Sequence, residues 1–348
     1  MTSTELIYDA WYVAAHAKAL ARGKTKKVQM LGVKLLLGRS EAGEAFALRD
    51  FCPHRGIPLS YGTFDGKEIE CCYHGWRFDC SGQCTAIPSL SESETVDISR
   101  IRAQSFPCRE QYGLIWVYIP APKTRAPENL PPLPAIPAHP ALDFGVVDSV
   151  HLPCTIDHAV IGLMDPSHGP FVHASWWWRS TRSMHEKQKH FVPTPHGFKM
   201  VSHKPSSNSR AYKILGGERT TEIAFELPGF RTEHITVGHH HIILLTALTP
   251  EDEKNTRLHQ FVFTTIPLLK LLMPLLKPFG KAFIAQDVRV VKMQQEGLAG
   301  EHPSLMLLGD ADQQALWYFK IKREFIAAQA AREPFVNPIK EKVLRWKS

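Results

Sequence analysis

The chain has 348 residues, which at about 150 residues per domain predicts two domains. Hydrophobic residues make up 44% and charged residues 22%, a balance that excludes a disordered chain and supplies a core without disulfide or metal staples. Lys and Arg total 41 against 34 Asp and Glu, an excess too mild to point to nucleic acid and compatible with an acidic partner.

The opening MTSTELIYDAWYVAAHAKAL lacks a basic stretch followed by a long apolar one, so no signal peptide is expected. No run of about twenty apolar residues predicts a spanning helix. The expected location is cytoplasmic. Five of the seven cysteines fall between Cys52 and Cys84, and histidines number 18. In such a chain this clustering points to metal or redox chemistry, not to a disulfide framework.

In chain order, residues 28–50 read as strands, with Val33, Leu35 and Leu37 alternating and Glu41–Glu44 turning into Phe46–Leu48. Short strands and loops follow to about residue 90, and Tyr112–Ile119 is another β-prone run. Residues 120–140 hold eight of the 26 prolines, an extended connector that separates a domain over 1–119 from one over 141–348. Beyond it, a helix is expected over 157–172, then strands at Phe198–Ser202, Glu222–Phe225, Ile235–Leu248 and Arg257–Thr265. A hairpin at Thr249–Asp252 divides the last two. Further helices are expected over 280–297 and 312–332, the second capped by Asp310 or Asp312 and presenting Trp317, Ile321, Phe325 and Ala328 on one apolar face.

Three segments need a separate reading. Trp176–Trp178 is expected in core or subunit packing. His239–His241 falls inside a predicted strand, so at most two of its side chains face one side. In Ile266–Phe283, Pro267, Pro274 and Pro278 are expected to prevent a continuous helix, which makes the stretch a buried connector or a lid over an apolar pocket. Its lysines, Lys270, Lys277 and Lys281, share a stripe, and membrane-surface contact is the sharper alternative.

The chemistry begins at Cys52-Pro53-His54 and, sixteen residues on, Cys71-Cys72-Tyr73-His74. Two thiolates and two imidazoles could hold zinc, but zinc sites usually pair Cys with Cys and His with His. One of each per loop suits a two-iron cluster with thiolates on one iron and imidazoles on the other. CPHRG at 52–56 and CCYHGWRFD at 71–79 closely resemble the two cluster-binding loops of Rieske iron–sulfur domains. That resemblance implies a [2Fe-2S] cluster on Cys52, His54, Cys71 and His74. Cys72 stands where the family usually has proline; spacing to His74 favours Cys71 as the ligand. Cys80, Cys84, Cys108 and Cys154 read as non-ligand thiols.

Downstream, Asp165, His168 and His173 form the pattern D-x-x-H-x-x-x-x-H, with Asp165 and His168 expected on one helical face. Two imidazoles and one carboxylate make a facial triad for mononuclear Fe(II), with positions left open for dioxygen or substrate. Following a Rieske pair, the segment resembles the terminal oxygenase component (α subunit) of Rieske non-haem iron oxygenases, and the resemblance covers nearly the whole chain. Gly162 replaces the family's usual Asn. Asp287, expected among Val290, Val291 and Gln294, is the candidate third iron ligand, since a carboxylate among apolar neighbours needs a cation. Glu296, Asp310 and Asp312 compete but flank loops or helix ends.

The resemblance implies a β-rich Rieske domain followed by a helix-grip (START/Bet v1-like) antiparallel-sheet catalytic domain, an α+β architecture. It also implies that Asp165 bridges His168 to His74 of an adjacent chain, and hence a homotrimer. A local orienting bond to His168 is the simpler alternative for Asp165. Electrons are expected from NAD(P)H through a separate ferredoxin or flavin reductase, because no Gly-rich dinucleotide fingerprint occurs here. The length resembles the monooxygenase and demethylase branch, so hydroxylation or oxidative demethylation of an apolar ring compound is expected. Cis-dihydroxylation, or an electron-transfer or lipid-binding protein without working iron, are the alternatives.

Overall fold

The computed structural model describes residues 5–137, 143–174, 181–205, 218–299 and 305–348. It divides into two compact units, Tyr8–Pro134 and a second from Ala135 to Ser348 that takes in the N-terminal residues up to Ile7. The division falls inside the proline-rich stretch. Most of that stretch belongs with the first unit, where Trp11 Nε1 donates to the Pro131 carbonyl at 2.8 Å.

The first unit contains strands β1 (Ala10–His16), β2 (Lys24–Met30), β3 (Val33–Arg39), β4 (Ala45–Arg49), β5 (Thr63–Phe64), β6 (Glu68–Glu70), β7 (Arg77–Asp79), β8 (Cys84–Ala86), β9 (Ser105–Phe106), β10 (Cys108–Gln111) and β11 (Leu114–Ile119). They form three sheets, ordered β1-β11-β10, β2-β3-β4-β9 and β5-β6-β7-β8. All of LIWVYI in β11 is buried, as a continuous apolar run requires when both strand faces are covered. Trp11 meets Tyr118 edge-to-face with centroids 5.5 Å apart. A second core of Leu36, Phe46, Leu48, Leu59, Ile69 and Phe78 packs around Cys52 and Cys71.

The second unit contains β12 (Asp143–Leu152), helices α1 (Ile156–Met164) and α2 (Gly169–Val172), then β13 (Glu186–Pro193), β14 (Gly197–His203), β15 (Arg219–Glu226), β16 (Phe230–Val237), β17 (His240–Pro250) and β18 (Thr256–Thr264). Helices α3 (Pro267–Leu298) and α4 (Gln313–Ala331) and strand β19 (Lys342–Lys347) complete it. One antiparallel sheet runs β12-β18-β17-β16-β15-β14-β13-β19. Phe191, Phe198 and Phe225, on three neighbouring strands, meet Trp317 and Tyr318 of α4. This aromatic layer fixes α4 on the sheet. Helix α1 is fixed in turn on α4, where Tyr318 Oη and Lys322 Nζ both donate to Asp157 Oδ1 at 2.6 Å.

Several expectations are corrected. The helix expected over 157–172 breaks at Asp165, whose extended backbone (ψ 117°) caps α1. Pro166 follows it, and a residue before proline avoids the helical region. Asp165 and His168 therefore do not share a helical face. Ile235–Leu248 is two strands, because Gly238 takes a positive φ and turns the chain, placing His239 in the hairpin turn. Helix α3 runs through Pro274 and Pro278. Both lie on its exposed side, where water can satisfy carbonyls left without an amide partner. The leucines of this segment are not buried: Leu271 is 76% exposed and Leu275 68%. In α4, Trp317 and Ile321 are buried, whereas Phe325 and Ala328 are half-buried. Trp176–Trp178 lies outside the described residues. Among the described residues no helix is long and apolar enough to cross a membrane.

The Lys322–Asp157 pair is enclosed, with side chains 7% and 16% exposed. Lys322→Ala would leave a carboxylate buried without its cation, an expected loss of about 3 kcal/mol. Calorimetry should then show the unfolding midpoint of this unit falling by roughly 6–12 °C. A fall below about 2 °C would give the pair no more than a surface ion pair's worth.

Candidate metal centres

Two loops of the first unit share one backbone frame. Cys52 N–H donates to the Ile57 carbonyl at 2.8 Å and Gly56 N–H to the Cys52 carbonyl at 2.9 Å. Cys71 N–H donates to Trp76 at 2.9 Å and Gly75 N–H to Cys71 at 3.0 Å. Both glycines have positive φ, 77° and 71°, a backbone that a side chain would strain. The frames differ only in where histidine stands, two residues after Cys52 and three after Cys71. Asp50 closes the first loop by accepting from Ser60 N–H at 2.7 Å and Ser60 Oγ at 2.6 Å.

The donors of both loops converge. The His54 and His74 rings lie 4.6 Å apart, and His54 stacks flat on Trp76 at 4.5 Å. Desolvation, then His74 and Arg55, hold His54 below the usual imidazole range. Cys52 and Cys71 are 1% and 3% exposed, and burial pushes the Cys52 thiol up to about 11, with Cys71 beside it adding to the rise. His74 Nδ1 is buried without a hydrogen-bond partner. Such a nitrogen is costly in protein alone. Two thiols and two imidazoles, one nitrogen of them unsatisfied, fit a Rieske cluster.

Cys72 is exposed, and all seven cysteines are free. Burial raises the Cys80 thiol to about 11 and those of Cys108 and Cys154 to about 12. Cys84 is raised for the same reason. Burial thus disfavours the reactive thiolate form at all four.

In the second unit, His168, His173 and Asp287 bring one ligand atom each within 4.8 Å of one another. His168 Nε2 and His173 Nε2 are 3.2 Å apart, and Asp287 Oδ1 lies 3.1 Å from His173 Nε2 and 3.9 Å from His168 Nε2. The decisive detail is on the far side of each ring. His168 Nδ1 donates to the Asp165 backbone carbonyl at 2.8 Å, and His173 Nδ1 donates to Gln286 Oε1 at 2.9 Å. Neutral rings committed this way carry their lone pairs on Nε2. Two lone pairs and a carboxylate then face one point, an arrangement suited to a cation. Phe283 stacks on His173 at 3.8 Å and holds its plane.

The Asp165 carboxylate accepts from Ser167 N–H at 2.7 Å, and its second oxygen stands 3.8 Å from His168 Nδ1. Asp287 is not enclosed by apolar neighbours: its side chain is 37% exposed and Val290 is exposed. The histidine pair, not apolar surroundings, is its environment. The competing acids are engaged elsewhere, Asp310 with Lys342 and Asp312 with the Leu308 amide, while Glu296 lies in a groove against β12. Sequence reasoning missed Gln286 and Phe283. Their one signal is position, immediately before Asp287 and one turn before it on the same helix.

Residues 10–107 match the Rieske [2Fe-2S] domain, and residues 156–328 match the vanillate O-demethylase oxygenase C-terminal domain. The chain belongs to the Rieske oxygenase family. Among its relatives is 4beta-methylsterol monooxygenase of Methylococcus capsulatus, 39% identical over 127 residues, which are 36% of this chain and 34% of that protein. Chlorophyllide a oxygenase of Arabidopsis thaliana is 25% identical over 301 residues, 82% of this chain and 52% of that protein. The chain thus spans about half the length, or less, of these curated relatives. Among solved Rieske oxygenase structures, Pseudomonas putida NdmA with caffeine shares the fold, with a TM-score of 0.74 at 20% identity over 95% of this chain and 96% of that one.

Two measurements check these centres. Gln286→Leu removes the acceptor that fixes the His173 tautomer and should weaken ferrous-ion binding roughly 10- to 100-fold by titration; unchanged affinity would remove Gln286 from the site. Cys71→Ala should abolish the visible absorption of a two-iron cluster, whereas Cys72→Ala should keep it. The reverse result would exchange the two roles.

Proposed function

We propose that this chain is the oxygenase component of a Rieske system that hydroxylates or oxidatively demethylates an apolar, ring-containing molecule. The observation carrying this reading is the convergence of the His168 and His173 Nε2 atoms and the Asp287 carboxylate on one point, in a chain that also holds the two cysteine–histidine loops. His168, His173 and Asp287 would hold Fe(II), and Cys52, His54, Cys71 and His74 would hold the cluster. When bound, the cluster would supply single electrons and the ferrous ion would supply dioxygen activation for inserting oxygen into an organic substrate.

The chain's own residues prepare that chemistry. The Asp165 carbonyl and Gln286 hold the proton of each imidazole on Nδ1, so that both Nε2 atoms stay free to ligate. Phe283 covers one face of His173 and keeps water from that side of the ring. The substrate class follows from relatives named for a methylsterol and for chlorophyllide a, both large and apolar, and from a domain named for an O-demethylase.

Electrons come from NADH or NADPH through a separate ferredoxin or flavin reductase. Asp165, whose side chain is 35% exposed, would join His168 to His74 of a neighbouring copy, which requires a ring of subunits, a homotrimer. His168→Ala should abolish oxygen-dependent product while preserving the cluster's electron paramagnetic resonance spectrum. Product formation that survives this change would overturn the oxygenase reading. Sedimentation should give three chains per particle; a monomer would remove the bridge from Asp165.

A further inference from the structure

We propose that the N-terminal half of α3, with the basic groove beside it, seats this protein on the surface of an anionic lipid bilayer. Leu268, Leu271, Leu275 and Phe279 recur at helical spacing and form one row. They are 63%, 76%, 68% and 65% exposed. A contiguous apolar row of this kind marks an interaction surface.

The charge around the row identifies its occupant. Between Pro267 and Gln286 there is no acidic residue, while Lys270, Lys277 and Lys281 share one stripe. On the adjoining stripe, Lys281, Arg289 and Lys292 face Val150 and His151 of β12 across a groove of about 570 Å³, whose one acidic lining residue is Glu296. An apolar row on one face of a helix, with cations on the opposite face and beyond its end, is the pattern of a helix lying in the bilayer interface. Its leucines enter the acyl boundary, and its cations reach the phosphate level. Pairing with a second copy about a two-fold axis would bring the same lysines together and repel. No helix among the described residues can cross the bilayer, so the contact is with its surface.

Binding does not depend on the oxygenase reading, but its purpose rests on it. Phe283 and Asp287 lie on the same helix, one and two turns beyond Phe279. An apolar ring compound dissolved in the bilayer would leave it beside the middle of α3, where Asp287 lies.

The test is co-sedimentation of the full chain with phosphatidylcholine vesicles, with and without phosphatidylglycerol. The chain should pellet with the anionic vesicles, much less with the neutral ones, and be released as salt rises. The combined variant Lys281→Gln/Arg289→Gln/Lys292→Gln should bind roughly a hundredfold more weakly, and Leu271→Ser/Leu275→Ser roughly tenfold. Both should retain the thermal unfolding midpoint and ferrous-ion binding of the unaltered protein, which certify the fold of the second unit. No pelleting, equal pelleting with both vesicles, or unchanged binding by the variants would each overturn the proposal. So would a lipid-free dimer or trimer, seen by light scattering, that Leu271→Ser/Leu275→Ser dissociates, since the face would then belong to another copy. His168→Ala should bind vesicles like the unaltered protein, so a failed oxygenase assay and a failed lipid assay are separate results.

Discussion

Two imidazoles stand with their Nε2 atoms 3.2 Å apart, and the second unit is arranged to hold them there. Either ring could relieve the contact by moving its proton to Nε2. The acceptors behind the rings prevent it. One of them is a by-product of helix termination: α1 ends at Asp165, and a carbonyl at a helix C-terminus has no amide to accept from. His168 supplies the missing donor. The other acceptor comes from α3, which delivers Gln286, Asp287 and Phe283 together because they lie on one continuous helix. The buried Asp157–Lys322 pair holds α1 where these meetings are possible.

The first unit solves a related problem differently. Its two loops repeat the same pair of backbone hydrogen bonds around a cysteine and a left-handed glycine, so each thiol is presented from an equivalent position. Shifting histidine by one residue between the loops lets both rings come together at 4.6 Å despite the matching backbones. Trp76, stacked on His54, occupies the position that Ile57 holds in the other loop. One frame therefore serves two different side-chain patterns.

The candidate metal-site residues were the most legible part of the chain. Cysteine and histidine at short spacings mean few things physically, so the two loops and the His168–His173 segment stood out by spacing and residue type, while their assignment to a cluster and an iron rested on the resemblance to Rieske oxygenases. The supporting residues did not stand out. Gln286 is an ordinary glutamine until the fold turns it toward a histidine 113 positions away. Proline misled in both directions. Pro170 sits in the first turn of α2, where its missing amide costs nothing, while Pro166 ends α1 through its effect on the preceding residue. Pro274 and Pro278 seemed to forbid a helix, but proline's cost depends on whether the orphaned carbonyls face water, which a sequence does not state. Of the His239–His241 run only His239 left the expected strand, because one glycine made a hairpin there; His240 and His241 stay in β17.

The two centres also differ in how far their parts are separated along the chain. Cys52 and His74 bound a short local segment, so the sulfur site can take shape as soon as the surrounding small sheets form. The iron site needs partners more than a hundred positions apart, and the pair that braces it spans 165. Closing loops of that length is slow and is rewarded only when the large sheet is complete. A nascent or partly folded chain would therefore bring its two cysteine–histidine loops together before His168, His173 and Asp287 meet.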